Sequence, residues 1–224
     1  MAGATTSRTD GRVLRGEETR RTVLRRAVEI ASVEGLDALS IGRLATDLGL
    51  SKSGVFAGFG SKEELQLATL RAARRIFSDA VLDPIAAEPP GLRKLRLLCE
   101  SWLAYSRARV FPGGCFFYEV NAEYDARPGP LRDALAANWR EWHATVLGLV
   151  NGAVGTGELR ADADPEDIAF TLIALLENAN PQALLFDEDT PYERAHRAAL
   201  RRLRSDAVDP DTPALLPDRA DRAG

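Results

Sequence analysis

At 224 residues, 45% of them hydrophobic, the chain is long enough for one or two small domains with an apolar core. A formal net charge of −4 argues against a uniformly basic nucleic-acid binder. The charge is uneven, however: residues 1–62 carry ten Lys and Arg against seven Asp and Glu, and the remainder 19 against 26, so a basic end precedes an acidic body, as expected where one end meets phosphate.

Residues 1–18 are rich in Thr, Arg and Gly without a hydrophobic period and read as a disordered tail, from which Arg8, Arg12 and Arg15 can reach a DNA backbone or minor groove. A first helix is predicted over 19–34, with Leu24, Ala27, Val28 and Ala31 inward and Gly35 closing it. Residues 40–62 hold the densest signal. Ser40 is an N-cap residue, and Ile41, Leu44, Ala45 and Leu48 recur at the spacing of one helical face. Gly49 is free to take positive φ and turn the chain, and Ser51 caps a second short helix over 52–56. Ser61 and Glu64 form the S-x-x-E pattern that opens a longer helix. Two short helices joined by a Gly turn make the helix-turn-helix layout, whose second helix enters the DNA major groove. The DNA-binding domain is therefore set at 19–64.

The longer helix, over 62–82, puts Leu65, Ala68, Ala72 and Ile76 inward and stops before Pro84. It leads into a second domain over 65–205. Helices follow over 92–107, 115–124, 131–154, 165–186 and 191–204, about nine in all, and no strand pattern stands out, so the fold class is all-α. Residues 206–224, rich in Asp, Pro and Ala, read as a second disordered tail. The longest apolar stretch, 168–186, is interrupted by Glu177, Asn178, Asn180 and Pro181 and reads as a buried helix, not a membrane span. The N-terminus lacks the apolar segment of a secretory signal. Cys99 and Cys115 read as separate thiols in a reducing cytoplasm, and with His143 and His196 they make no metal-ligand cluster. No catalytic or nucleotide-binding motif appears, so neither a cofactor nor an enzymatic activity is expected.

From 19 to about 70 the chain resembles the DNA-binding domain of the TetR family of transcriptional regulators. The resemblance rests on Gly35-Leu36-Asp37-Ala38-Leu39-Ser40, Ile41 with Leu44-Ala45, Gly49-Leu50-Ser51, Val55-Phe56, and Phe59-Gly60-Ser61-Lys62-Glu63-Glu64-Leu65. Three positions depart from it: Ser40 stands where the family often has Thr, Phe56 where it has Tyr, and Gly58 where it often has His. Phe56 removes a hydroxyl able to bind phosphate, and Gly58 is expected to loosen the following turn. On this motif Ser40 and Ser51 mark helix N-termini facing phosphate, Arg43 takes phosphate, and Lys52, Ser53, Gly54 and Phe56 lie on the helix that meets base edges. Lys62 resembles the family lysine that touches the backbone.

The resemblance implies more for the body. Helices over 165–204 resemble the family's dimerisation pair, so the expected assembly is a homodimer on double-stranded, palindromic operator DNA. Helices four to eight are expected to enclose a small-molecule effector, with Trp102, Tyr105, Phe117, Tyr118, Asn121, Trp139, His143 and Asn178 as candidate lining. Each of these serves equally well as plain core or surface. The low charge of the 165–186 helix points to an apolar or amphipathic ligand. The expected function is a cytoplasmic repressor released by that ligand, with no membrane partner. The alternative is an all-α small-molecule-binding or interaction protein whose DNA-binding end has degenerated.

Overall fold

The computed structural model describes the backbone of residues 6–216 and the side chains of residues 16–216. Among these residues it has nine α-helices and no strand: α1 (Thr6–Glu34), α2 (Ile41–Leu48), α3 (Lys52–Phe59), α4 (Lys62–Phe77), α5 (Leu92–Arg107), α6 (Phe116–Tyr124), α7 (Pro130–Gly155), α8 (Pro165–Phe186) and α9 (Thr190–Asp206). The chain divides into two compact units, one of Met1–Ile76 with Phe111–Ala134, the other of Phe77–Val110 with Leu135–Gly224. The division runs through α4 and α7 rather than after residue 64, and α6 falls with the N-terminal helices.

In the first unit, Ala27, Val28, Ile30 and Ala31 of α1 close on Leu36, Leu39, Leu44, Val55, Phe59 and Leu65, all buried. Val23, not Leu24, heads the α1 stripe. The expected N-terminal tail is corrected from residue 6 onward: α1 starts at Thr6 and continues without a break through residue 18. Those residues lack an apolar period, but Arg, Leu and Glu among them are good helix formers, and elongating a helix is far easier than nucleating one. Residues 1–5 lie outside the described part. Gly49 and Gly60 end α2 and α3 in positive-φ backbone, at 64° and 76°. α3 runs eight residues to Phe59, so Gly58 sits inside the helix and not in a turn, with nothing near the position of a β-carbon. The loop before α6 approaches α1 closely: a β-carbon on Gly113 would lie 1.7 Å from the carbonyl oxygen of Ser32.

In the second unit, α8 and α9 form an antiparallel hairpin beside α5. Leu95, Leu98, Trp102, Leu172, Leu176, Tyr192, Ala199 and Leu203 supply its core. Ala199 is fully buried within the protomer. Ser106 of α5 donates to Asn180 Oδ1 of α8 at 2.8 Å and lies 3.0 Å from the Tyr192 hydroxyl of α9, which satisfies these buried polar groups. After α4 the backbone widens into a π turn, Ser78–Leu82, and tightens into a 3-10 turn, Asp83–Ile85, carrying Pro84. The expected C-terminal tail is also corrected, as far as residue 216. Ala207 bridges to Leu159, Leu215 is fully buried, and the buried Arg96 guanidinium donates to Ala214 O at 3.1 Å. Arg96, which also pairs with Glu100 at 2.8 Å, Arg204, which donates to Leu215 O at 3.3 Å, and the apolar Leu215 hold a segment whose composition reads as loop. Residues 217–224 lie outside the described part. α8 is long and apolar enough to span a bilayer, but Ile168, Leu172, Leu176 and Ala183 face the unit's interior. Neither cysteine is in a disulfide, both are buried, and burial pushes the Cys99 thiol up to about 12.

Candidate nucleic-acid interface

The helix-turn-helix is built by local caps. Ser40 Oγ accepts from Arg43 N and Ser51 Oγ from Gly54 N, each at 3.1 Å, so both short helices begin where the serines place them. Ser61 Oγ accepts from Glu64 N at 3.1 Å and starts α4. Val55 and Phe59 anchor α3 in the core, leaving Lys52, Ser53, Gly54 and Phe56 on its exposed side. Phe56 is 53% exposed. A large apolar ring kept in water at that position is consistent with a partner surface such as a thymine methyl. Arg20 of α1 clamps the other end of α3: its guanidinium donates to Gly58 O and lies 4.4 Å over the Phe59 ring.

The basic residues differ in how free they are. Among the described residues no acidic side chain pairs with Lys52. Arg43 forms a fork with Glu34, at 2.8 and 2.6 Å, and those bonds hold the Glu34 carboxyl below its ordinary range. Lys62 reaches the connection between α1 and α2, donating to Asp37 O at 2.7 Å with Asp37 Oδ1 3.8 Å away. A phosphate at either site must displace a carboxylate or carbonyl already present.

The sequence reading missed what holds that connection. Glu123 of α6 caps the 3-10 turn Leu36–Ala38, accepting from Leu36 N at 2.6 Å and Asp37 N at 2.9 Å. The Tyr124 hydroxyl donates to Asp37 Oδ1 at 2.8 Å, and Arg127 donates to Oδ2 at 2.6 Å. Gln66 of α4 donates to Leu36 O at 2.9 Å and to the Tyr124 hydroxyl at 3.3 Å. The Tyr124 bond, followed by Arg127, holds the Asp37 carboxyl low, while burial first and then Asp37 push the Tyr124 phenol up. These partners lie some 90 residues apart in the chain, as with the 87-residue separation of Tyr124 and Asp37, and no periodicity could have paired them.

Residues 23–69 match the family model described as "Bacterial regulatory proteins, tetR family", and residues 91–199 the one described as "Tetracyclin repressor-like, C-terminal domain". The chain belongs to the TetR family of transcriptional regulators. It is similar to Transcriptional regulator AcuR of Cereibacter sphaeroides, at 25% identity over 152 residues that make up 66% of this chain and 68% of that one. A TetR transcriptional regulator from Chloroflexus aurantiacus shares the fold with a TM-score of 0.76 at 26% identity, over 86% of this chain and 98% of that one. A regulator from Saccharomonospora viridis, solved in complex with choline, does so with a TM-score of 0.72 at 21% identity, over 86% and 99%.

As a TetR-family member the protein is a transcriptional regulator with a DNA-binding and a ligand-binding domain. Its expected ligand residues are split between the units. Phe117, buried, Tyr118, exposed, and Asn121, half-buried, lie on α6 in the first. In the second, Trp102 and Tyr105 are buried on α5 with ring centroids 6.2 Å apart. Phe77 meets Tyr105 at 5.4 Å and Trp142 at 5.3 Å, both edge to face. Trp142 is thus the α7 tryptophan that joins the aromatic run, while Trp139 is 39% exposed. His143 lies 3.4 Å from Glu166, and Asn178 is on the exposed side of α8, the buried asparagine being Asn180. A pocket of about 480 Å³ lies elsewhere in this unit, lined by Glu88, Pro90, Glu158 and Pro213 among others.

One ionisable group absent from the expected set is Glu177, whose carboxyl burial pushes up to about 7. Tyr192 beside Ser106 and His196 beside Glu100 make α9 antiparallel to α5, so α8 runs parallel to α5. Asn180 faces Ser106, and Glu177 lies about one turn before Asn180 on α8. A glutamate inside an apolar helix was the available signal, and it counted in the sequence only as an interruption.

Proposed function

We propose that this TetR-family regulator is a cytoplasmic repressor that binds a palindromic operator as a homodimer and leaves it when a small apolar or amphipathic ligand binds. The observation that carries the DNA half is the bare outer side of α3, with Lys52, Ser53, Gly54 and Phe56 presented between the capped helix starts at Ser51 and Ser61. On that side Lys52 reads a base edge and Phe56 an apolar one. The N-termini of α2 and α4, with Arg43 and Lys62, take phosphates. The dimer reading is supported by α8, which keeps Phe170 70% and Leu185 80% exposed on the protomer. The ligand reading is supported by the aromatic run of the second unit, with Glu177 as one group able to orient a donor.

Two substitutions test the assignment of roles. Lys62→Ala is expected to weaken binding to every duplex alike and to reduce the salt slope by about one. Lys52→Ala is expected to weaken binding to a selected operator by about tenfold or more while relaxing the sequence preference at one base pair. Duplex titrations over a range of salt read both. Identical, unaltered binding by the two variants removes α3 and α4 from the interface.

A further inference from the structure

We infer that Asp37 is an acceptor shared between α6 and the phosphate-binding lysine, so that Tyr124 and Arg127, which do not touch Lys62, set how free Lys62 is to bind DNA. The inference rests on the proposed role of Lys62. Asp37 has three cationic or hydroxyl partners, Tyr124, Arg127 and Lys62. Asp37 Oδ1, the carboxylate oxygen nearest Lys62 Nζ at 3.8 Å, is the one that the Tyr124 hydroxyl occupies at 2.8 Å. Arg127 takes Oδ2 at 2.6 Å. Lys62 is left with the neutral carbonyl of the same residue at 2.7 Å. A neutral carbonyl holds an ammonium more weakly than a carboxylate does, and a DNA phosphate displaces it more easily.

Release of the α6 side changes that choice. Without the tyrosine hydroxyl and the guanidinium, the carboxylate needs to swing only about 1 Å to pair directly with Lys62. The lysine is then neutralised where phosphate is to bind. Two neighbours keep the arrangement in place. Gln66 fixes the Tyr124 hydroxyl from α4, and Glu123 fixes the turn that carries Asp37. Lys62 and Asp37 are about half exposed, so water moderates the pair and the effect is several-fold, not thousands-fold.

The test is a double-mutant cycle on the full chain, measuring affinity for a mixed-sequence duplex across a range of salt. Tyr124→Phe keeps the net charge and removes only the hydroxyl, and Gln66 retains its bond to Leu36 O. It is expected to weaken duplex binding on the order of threefold and to flatten the salt slope. Arg127→Gln is expected to act in the same direction. In the Lys62→Ala background neither is expected to have any effect beyond the small, slope-neutral loss of a distant charge. Tyr124→Phe binding like the native chain overturns the inference, and so does an equal loss in both backgrounds, which marks a purely structural role. If Lys62→Ala itself leaves binding and slope unchanged, the phosphate role of Lys62 fails and this inference falls with it. If Lys62→Ala has its expected effect and the α6 variants have none, only the coupling fails.

Discussion

Gly113→Ala is expected to lower the melting temperature of the protein by on the order of 10 °C, with a loss of about 3 kcal/mol. The added β-carbon falls 1.7 Å from Ser32 O and 2.5 Å from Ser32 C. These are main-chain atoms of α1, so no side-chain rotation relieves the overlap. The loop has to lift, which breaks the bond from Gly113 N to Ser32 Oγ at 3.2 Å and drags on Phe111 and Phe116, both buried, with rings 5.7 Å apart. Gly58→Ala is the control: the new methyl meets nothing within 4 Å and replaces glycine inside a helix, so stability should hold or rise by up to about 1 kcal/mol. Thermal denaturation of the two variants against the native chain measures the contrast. Equal melting temperatures for all three would mean that the loop does not press on α1.

Leu185→Glu with Phe170→Glu is expected to convert the proposed homodimer to monomer at micromolar concentration. Both side chains are exposed on the protomer, at 80% and 70%, so the protomer fold should survive. Ala199, by contrast, is inside the protomer core, and a charge there would unfold the chain instead of parting two copies. An unpaired charge closed into a packed interface costs about 3 kcal/mol or more, over a hundredfold in the dimer dissociation constant. Sedimentation measures the assembly. Operator affinity is expected to fall with it, because one half-site alone offers few contacts. A native chain that sediments as a monomer, or a double variant that remains a dimer, contradicts this placement of the interface.

The parts legible in the sequence were those that local chemistry decides. The caps at Ser40, Ser51 and Ser61 and the turn at Gly49 follow from single residues and their neighbours, and each is present. Helix faces were legible to within a residue, as with Val23 for Leu24. What composition misjudged was order without periodicity, in the start of α1 and in the segment to residue 216, where a lone Leu215 and the buried Arg96 do the anchoring. The hold of Glu123, Tyr124 and Arg127 on the Leu36–Asp37 turn was not legible at all, since it pairs residues distant in the chain through hydrogen bonds that carry no hydrophobic signature.

The central claim, that α2 and α3 present a sequence-reading surface in two symmetric copies, is tested most directly by selecting bound duplexes from a random-sequence library with the full-length protein, then titrating salt on the winner. The expected result is one inverted repeat, with half-site centres about one helical turn or a multiple apart, bound with an affinity that falls steeply as salt rises and that Lys52→Ala degrades at a symmetric pair of positions. A library that yields no enriched sequence, together with salt-insensitive or absent duplex binding at micromolar protein, would contradict it.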